Sequence, residues 1–408
     1  MSKSKMSRTV PALFLGGLIT LGSPALTFAH GDSVARAEEV TPVVARNLSA
    51  EERLRLLEER QVEIYHTLAE KKSVGLAEKI TERITISGLL EVEAAAADVE
   101  FKDGTSDAAS DLALATAQFG LGVKLTEAIS GDIIFLFEEG AFGDDDTDLE
   151  VDEAAINISL GPWSGRVGRQ YLPFGVFHSH FISDPLTLEL GETRETAFLA
   201  GYAYGPATLS AFVFNGDAEK TRNEDHIRDW GASLVLAPTE GVELGGSYLS
   251  DLADTDASLV LFEDPLLGEV NEYRRRVGGW SAFFVAEHGK LGLSGEVLGA
   301  TRRFAVVNLD ADGDGQGDKP LAWNLEASWT LLENVELALR YEGSREFAGQ
   351  PERQYGIDVS WSPWENTTLS LEYLRGEFDR AFIGDLVSST GSPADRRDLV
   401  TAQLAFEF

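Results

Sequence analysis

Residues 400–408 read Val400-Thr401-Ala402-Gln403-Leu404-Ala405-Phe406-Glu407-Phe408 and alternate without a break. Val400, Ala402, Leu404, Phe406 and Phe408 share one face, while Thr401, Gln403, Ala405 and Glu407 share the other. A period of two is that of a strand, and this division suits one running between lipid and a polar lumen. A terminal aromatic on such a strand is expected of bacterial outer-membrane barrels. A half-buried edge strand alternates too, so the stretch alone leaves a soluble sandwich open.

Working outward, the same period holds from Ile84 to the end. Sixteen strand-like runs begin near residues 84, 111, 131, 150, 163, 196, 206, 226, 241, 276, 290, 319, 334, 353, 366 and 396. Residues 84–408 give about 20 residues per strand with its connection, enough for a porin-sized barrel. The connections sort by parity. Those after even-numbered strands are short, such as Gly161-Pro162-Trp163, Tyr204-Gly205-Pro206 and Glu287-His288-Gly289. Those after odd-numbered strands are mostly longer, at 101–110, 140–148, 172–195, 251–274, 304–318 and 379–395. Tight periplasmic turns and long external loops are the asymmetry of outer-membrane barrels, and a sandwich has no reason to sort its loops this way. Trp163, Trp361 and Trp364 lie beside the short turns, where an aromatic girdle belongs. The expected fold is an all-β transmembrane barrel of 16 antiparallel strands over 84–408, with both ends in the periplasm.

Ahead of the barrel, Lys3, Lys5 and Arg8 precede an apolar run from Val10 to Leu26 and small residues at Thr27-Phe28-Ala29, so residues 1–29 read as a signal peptide. Removing its three positive charges takes the net charge from -34 to -37. Such a balance disfavours nucleic acid as a partner. With Cys 0 there is neither a disulfide framework nor thiol chemistry. Residues 30–47 form an aperiodic periplasmic linker. Over 48–82, Asn47 or Ser49 can cap a helix whose Leu54, Leu57, Ile64 and Leu68 recur at heptad spacing. It reads either as a short coiled coil supporting a homotrimer or as a surface helix packed on its own barrel.

Parity assigns the faces. Charges at the middle of a lipid face cost roughly 2–4 kcal/mol for Arg or Lys, so the charged face is the lumen. The inward set comprises Glu243, Glu296, Glu326, Glu336, Glu342, Asp358, Glu372 and Glu407 against Arg302 and Arg340. This acidic excess predicts passage of cationic or neutral solutes over small anions, unless opposite charges neutralise each other across the pleat.

The 172–195 connection is the third external loop. Its apolar content, from Pro173-Phe174 to Leu188 and Leu190, does not belong in water. It is expected to fold against the inner wall, placing His178, His180, Asp184 and Arg194 at a constriction, or else to cover a subunit interface. His178 and His180 also have the spacing to share a metal. Asp310-Ala311-Asp312-Gly313-Asp314-Gly315-Gln316-Gly317-Asp318 matches a calcium loop at positions one, three, five, six and nine, while Leu321 holds the twelfth position, where a bidentate Glu belongs. Asp310, Asp312, Asp314, Gln316 and Asp318 are thus candidate calcium ligands or a solvated acidic tip, and no cofactor is required.

The signal, the short heptad helix, Ile84-Thr85-Ile86-Ser87-Gly88 leading into the first strand, Gly168-Arg169-Gln170-Tyr171-Leu172-Pro173-Phe174-Gly175 and the run Ile182 to Glu195 together resemble the LbtU-type siderophore porin family. That resemblance implies a sixteen-stranded outer-membrane channel that takes up a ferric siderophore. Its partners are then the lipid bilayer and a small solute or iron chelate. A 22-stranded coupled transporter with a plug does not fit into residues 84–408. The alternative is an outer-membrane structural or tethering protein that grips the cell wall or a partner with its N-terminal helix. Hydrolase chemistry is unsupported, since no Ser pairs with a His at recognisable spacing.

Overall fold

The alternation over 84–408 becomes sixteen antiparallel strands in the computed structural model of the chain. The structure describes residues 83–408 apart from 140–141, 143–148, 217, 219–225, 258, 260–272, 274 and 380–386. The expected signal over 1–29, linker over 30–47 and helix or coiled coil over 48–82 lie outside the described residues. The strands are β1 (Ile84–Phe101), β2 (Ser106–Lys124), β3 (Ile129–Glu138), β4 (Leu149–Leu160), β5 (Trp163–Tyr171), β6 (Arg194–Tyr204), β7 (Ala207–Phe214) and β8 (Asp229–Thr239). They continue as β9 (Val242–Leu249), β10 (Gly279–His288), β11 (Leu291–Ala300), β12 (Leu321–Leu332), β13 (Val335–Arg345), β14 (Arg353–Trp364), β15 (Thr367–Glu377) and β16 (Ala394–Glu407). A short helix, α1 (Leu186–Gly191), interrupts the connection between β5 and β6.

Each strand pairs with its neighbours in sequence, and β16 returns to β1, so the sheet has no edge. Closure matters in lipid, where an unpaired backbone N–H or C=O costs several kcal/mol. The 400–408 stretch makes the seam. Leu404 sits opposite Val92 and Phe406 opposite Leu90, and Gly88 and Phe408 exchange N–H···O bonds of 3.0 Å in both directions. The Phe408 ring lies over Gly88, where a Cβ has no room. Among the described residues no helix is long and apolar enough to cross a membrane.

The first long connection is a correction. In place of a loop over 101–110, the β1–β2 ladder runs on to Glu100 opposite Ser106, leaving a turn over 102–105 with Gly104 at φ 81°. Polar strand residues beyond the bilayer carry no apolar alternation to mark them.

Exposure divides the faces as parity requires. Leu339 and Leu371 are 52% and 55% exposed on the outside, whereas Glu342 and Glu372 on the same strands are at most 1% exposed. Inward carboxylates this buried mean that the ring is filled on that side. Phe212 and Phe214 of β7, Leu249 of β9 and Leu298 of β11 form a core with Phe174, Leu186 and Leu190 from the long connection after β5. Each such side chain removed from water contributes about 1.5–3 kcal/mol. The apolar loop of the sequence is therefore packed inside the barrel.

Gly168, in β5, sits at φ 142°, and a Cβ there would lie 2.1 Å from the Ala154 carbonyl oxygen and 2.7 Å from the Ala155 Cα. Backbone cannot swing aside as a side chain does. Gly168→Ala is expected to cost about 2–5 kcal/mol from dihedral strain and overpacking together. Gly165→Ala in the same strand, where the nearest atoms are 3.8 Å away, should be close to neutral. Urea midpoints of the folded barrel compare the two; equal midpoints would contradict the packing described.

Candidate functional site

The loop that enters the barrel, residues 172–193, is held by its main chain. Gly175, at φ 92°, and Phe177, at φ 54°, turn the backbone so that the N–H groups of Val176 and Phe177 donate to the two oxygens of Glu296, at 3.0 and 2.9 Å. Consecutive N–H groups converging on one anion form a concave nest, and the φ > 0 residues make it. Further along, His180 N–H donates to Glu326 at 2.8 Å, Ser183 N–H to Glu372 at 2.9 Å and Leu186 N–H to Glu342 at 2.8 Å. The Ser183 hydroxyl donates to the second oxygen of Glu372 at 2.5 Å. Inward carboxylates on four strands, β11, β12, β13 and β15, thus supply acceptors for loop donors that would otherwise be stranded away from water.

Arg340 on β13 completes the clamp. Its side chain is fully buried, with Nε 2.8 Å from Glu326 and Nη1 3.4 Å from Glu342. It donates to the Ser179 hydroxyl at 2.5 Å and to the Asp184 carbonyl at 3.3 Å, and lies 4.3 Å over the Phe181 ring. Gln354 donates to Glu342 at 2.7 Å, and Asn324 to Glu326 at 3.1 Å. A buried charge stripped of one partner costs about 3–5 kcal/mol, so this set stands or falls together. Phe181 also packs on Ala338 and Leu374, and α1 packs on β11, β12 and β13.

The inward positions expected from sequence therefore split. Glu296, Glu326, Arg340, Glu342, Asp358 and Glu372 face inward but lie beneath the loop, at most 8% exposed, rather than against channel water. Glu336 and Glu243 stay open to the lumen, Glu336 with 35% of its side chain exposed. Arg302 is a correction. β11 ends at Ala300, so Arg302 belongs to the following connection rather than to an inward strand position. Of the four expected constriction residues, the structure brings His178 and His180 together, with ring centroids 4.9 Å apart. Asp184 turns Oδ1 into the packed interior, where it has no hydrogen-bond partner, and burial pushes its carboxyl well above the usual range. Arg194 opens β6 and is engaged with Glu150 at 2.8 Å and Asp152 at 2.6 Å on β4.

Eight strands around the ring from β12 and β13 lies a polar group that the sequence reading missed. Arg166 of β5 is bound by Asp132 of β3 at 2.9 Å, by Glu153 and by Asn157 of β4. A bulge in β4, where Ile134 pairs with Glu153 and Phe135 with Val151, shifts the alternation and hides these residues from a parity count.

In the connection after β11, Asp310, Asp312 and Asp314 bring carboxylate oxygens within 4.8 Å of one another. These carboxylates also cap the loop's own backbone. Asp310 accepts from Gly315 N–H at 3.1 Å, Asp312 from Asp314 N–H at 3.1 Å and Asp314 from Gln316 N–H at 2.7 Å. Gln316 donates its side-chain amide to Asp314, and Asp318 turns inward to Ala311 N–H at 2.7 Å. Leu321 starts β12, so the twelfth position offers no carboxylate.

The family model for the phosphate-selective porin O and P family matches residues 89–357, about two thirds of the chain. Curated relatives include a UPF0422 protein of Coxiella burnetii, 24% identical over 53% of this chain and 48% of its own length. Another is a UPF0422 protein of Legionella pneumophila strain Lens, 24% identical over 80% of this chain and 66% of its own length. The chain thus spans less than two thirds of either relative. Among solved structures, an anion-selective porin from Comamonas acidovorans superposes with a TM-score of 0.55 at 13% identity, covering 80% of this chain and 99% of that one. OprB of Pseudomonas putida gives 0.54 at 11% identity, covering 81% and 96%. At these identities the likeness is one of fold.

The loop's two imidazoles predict a pH dependence. Burial works against charge on both. At His178 it prevails, with His180 beside it, and holds the ring below the ordinary imidazole value. At His180 the 2.7 Å bond to Glu336 and the surrounding carboxylates outweigh burial and raise it. The pairing of His180 with Glu336 then contributes fully below the ordinary value and is lost as pH rises through the raised one. The stability gap between wild type and His180→Asn should shrink from about pH 5 to about pH 9, within the range where imidazoles titrate. Denaturation midpoints across that range check it; a gap that widens toward alkaline pH would contradict the pairing.

Proposed function

We propose a function from one premise: the chain belongs to the phosphate-selective porin O and P family. It is an outer-membrane channel for small solutes, and its family and fold neighbours are channels rather than enzymes. Our reading of its preference rests on which inward charges remain wet. Glu243 on β9, Glu287 on β10, Glu336 on β13 and Glu407 on β16 share the inward parity, lie within a few residues of the short-turn end and keep exposure. Lys124 and Lys290 stand at the turns themselves. Two inward arginines, Arg166 and Arg340, are each bound by carboxylates. An acidic mouth with neutralised arginines favours cationic and neutral solutes, since lining charge sets the sign of the permeant ion.

The family description speaks of phosphate, and a phosphate site needs uncommitted cationic donors. The pairing of Arg166 and Arg340 with carboxylates weighs against phosphate at those two positions. A neutral or cationic iron chelate suits the acidic mouth, and the resemblance to LbtU-type siderophore porins supports that cargo class. The even strand number brings both ends of the barrel to the short-turn side, which we place in the periplasm.

Reversal potentials of the purified channel in planar bilayers under a salt gradient test the preference. The expected result is potassium over chloride, reduced by Glu243→Gln combined with Glu336→Gln. A preference for chloride or phosphate in the unmodified channel would overturn it.

A further inference from the structure

We propose that His178 and His180 bind a divalent transition-metal cation of the Zn2+ or Co2+ class on the inward loop. This deepens the channel reading by naming a cation, and it rests on that reading for the ion's access to the loop. The separation of the rings is the first argument. Two imidazoles on one tetrahedral ion, each with a metal–nitrogen bond near 2.0–2.1 Å, have centroids about 5 Å apart. Here they are 4.9 Å apart, edge to face.

Hydrogen bonding is the second. His180 Nδ1 is 2.7 Å from Glu336 Oε1, the carboxylate–imidazole pairing that orients a metal-binding ring and leaves Nε2 as its donor atom. His178 Nδ1 is buried with no protein partner, a state that ordinarily destabilises a fold. The nearby Ser294 Oγ and Asn324 Oδ1 are likewise unpartnered and line the same small cavity as His178. A ring left this uncommitted is available to an ion or to its bound water.

Charge and access are the third. Glu287, Glu326 and Glu336 act on both rings, so their field favours a cation. His180 keeps 20% of its side chain exposed, unlike the fully buried Arg340 and Glu326 of the clamp. Imidazole nitrogens select zinc, copper, nickel and cobalt over calcium and magnesium. Two rings leave positions for water, so the ion is held without being enclosed. That suits a channel, where an ion must bind well enough to enter and weakly enough to leave.

The test titrates the untagged full-length protein in detergent micelles with Co2+, following its visible absorption, and with Zn2+ by equilibrium dialysis. One saturable ion per chain is expected. His178→Asn with His180→Asn should weaken binding at least 100-fold. Glu336→Gln, which keeps both rings, should weaken it about 10-fold. A variant with Asp310, Asp312 and Asp314 all changed to Asn should bind as wild type does. Heat-modified gel mobility reports folding; if the double histidine variant does not fold, the Glu336→Gln comparison decides. Binding unchanged by the histidine and Glu336 substitutions, or lost with the aspartates, overturns the proposal. Conduction without binding contradicts this site alone, whereas binding without conduction contradicts the channel reading.

Discussion

Main-chain N–H groups of one loop donate to carboxylates on four strands of the inner wall, and much of the molecule's organisation follows from that exchange. A carboxylate in a filled lumen has lost its water, and a loop backbone in the same place has lost its own. Each is what the other lacks. Hydrogen bonds to charged groups are worth about 1.5–3 kcal/mol, and an unmet partner costs at least as much. Glu296, Glu326, Glu342 and Glu372 each accept from the loop, and Arg340 balances part of their charge. The loop is fixed by the barrel, while the barrel's inward charges are tolerated because of the loop.

This arrangement divides the lumen. On the side of β11 to β15 it is a packed interior, continuous with the core made by Phe212, Phe214, Leu249 and Leu298. Across the ring, the Arg166 group of β3, β4 and β5 stays part-buried and polar. The acidic character of the sequence thus serves two ends. Some carboxylates hold the loop, while Glu243, Glu287, Glu336 and Glu407 keep exposure on the inward face.

Much of the architecture was legible in the sequence because a barrel wall obeys a single rule. The side-chain period is two, lipid admits no central charge, and short turns alternate with long connections, so strand positions and faces follow from residue type. The apolar content of the 172–195 loop pointed to a packed place for it, on the inner wall or at a subunit interface, and the structure packs it on the inner wall. What was hidden has physical reasons too. Backbone donors leave no mark in side-chain identity, and Val176 is 120 residues from the Glu296 it binds. The β4 bulge broke the parity that would have revealed Glu153 and Asn157 beside Arg166. Polar extension of β2 carried no alternation, and Arg302 shared a run of residues with β11 without sharing the strand. The calcium-like spacing of 310–318 was plain, yet its carboxylates are drawn into the loop's own turns.

The docked loop is the centre of this account, and the absence of cysteine allows it to be probed one thiol at a time. Thr187 on α1 is fully buried, whereas Glu243 is exposed on the inward face. The direct measurement is the rate at which a water-soluble maleimide labels Thr187→Cys in the folded channel, set against Glu243→Cys. The Thr187 position is expected to be protected by orders of magnitude and to become reactive on unfolding. Equal labelling rates in the folded channel would contradict it.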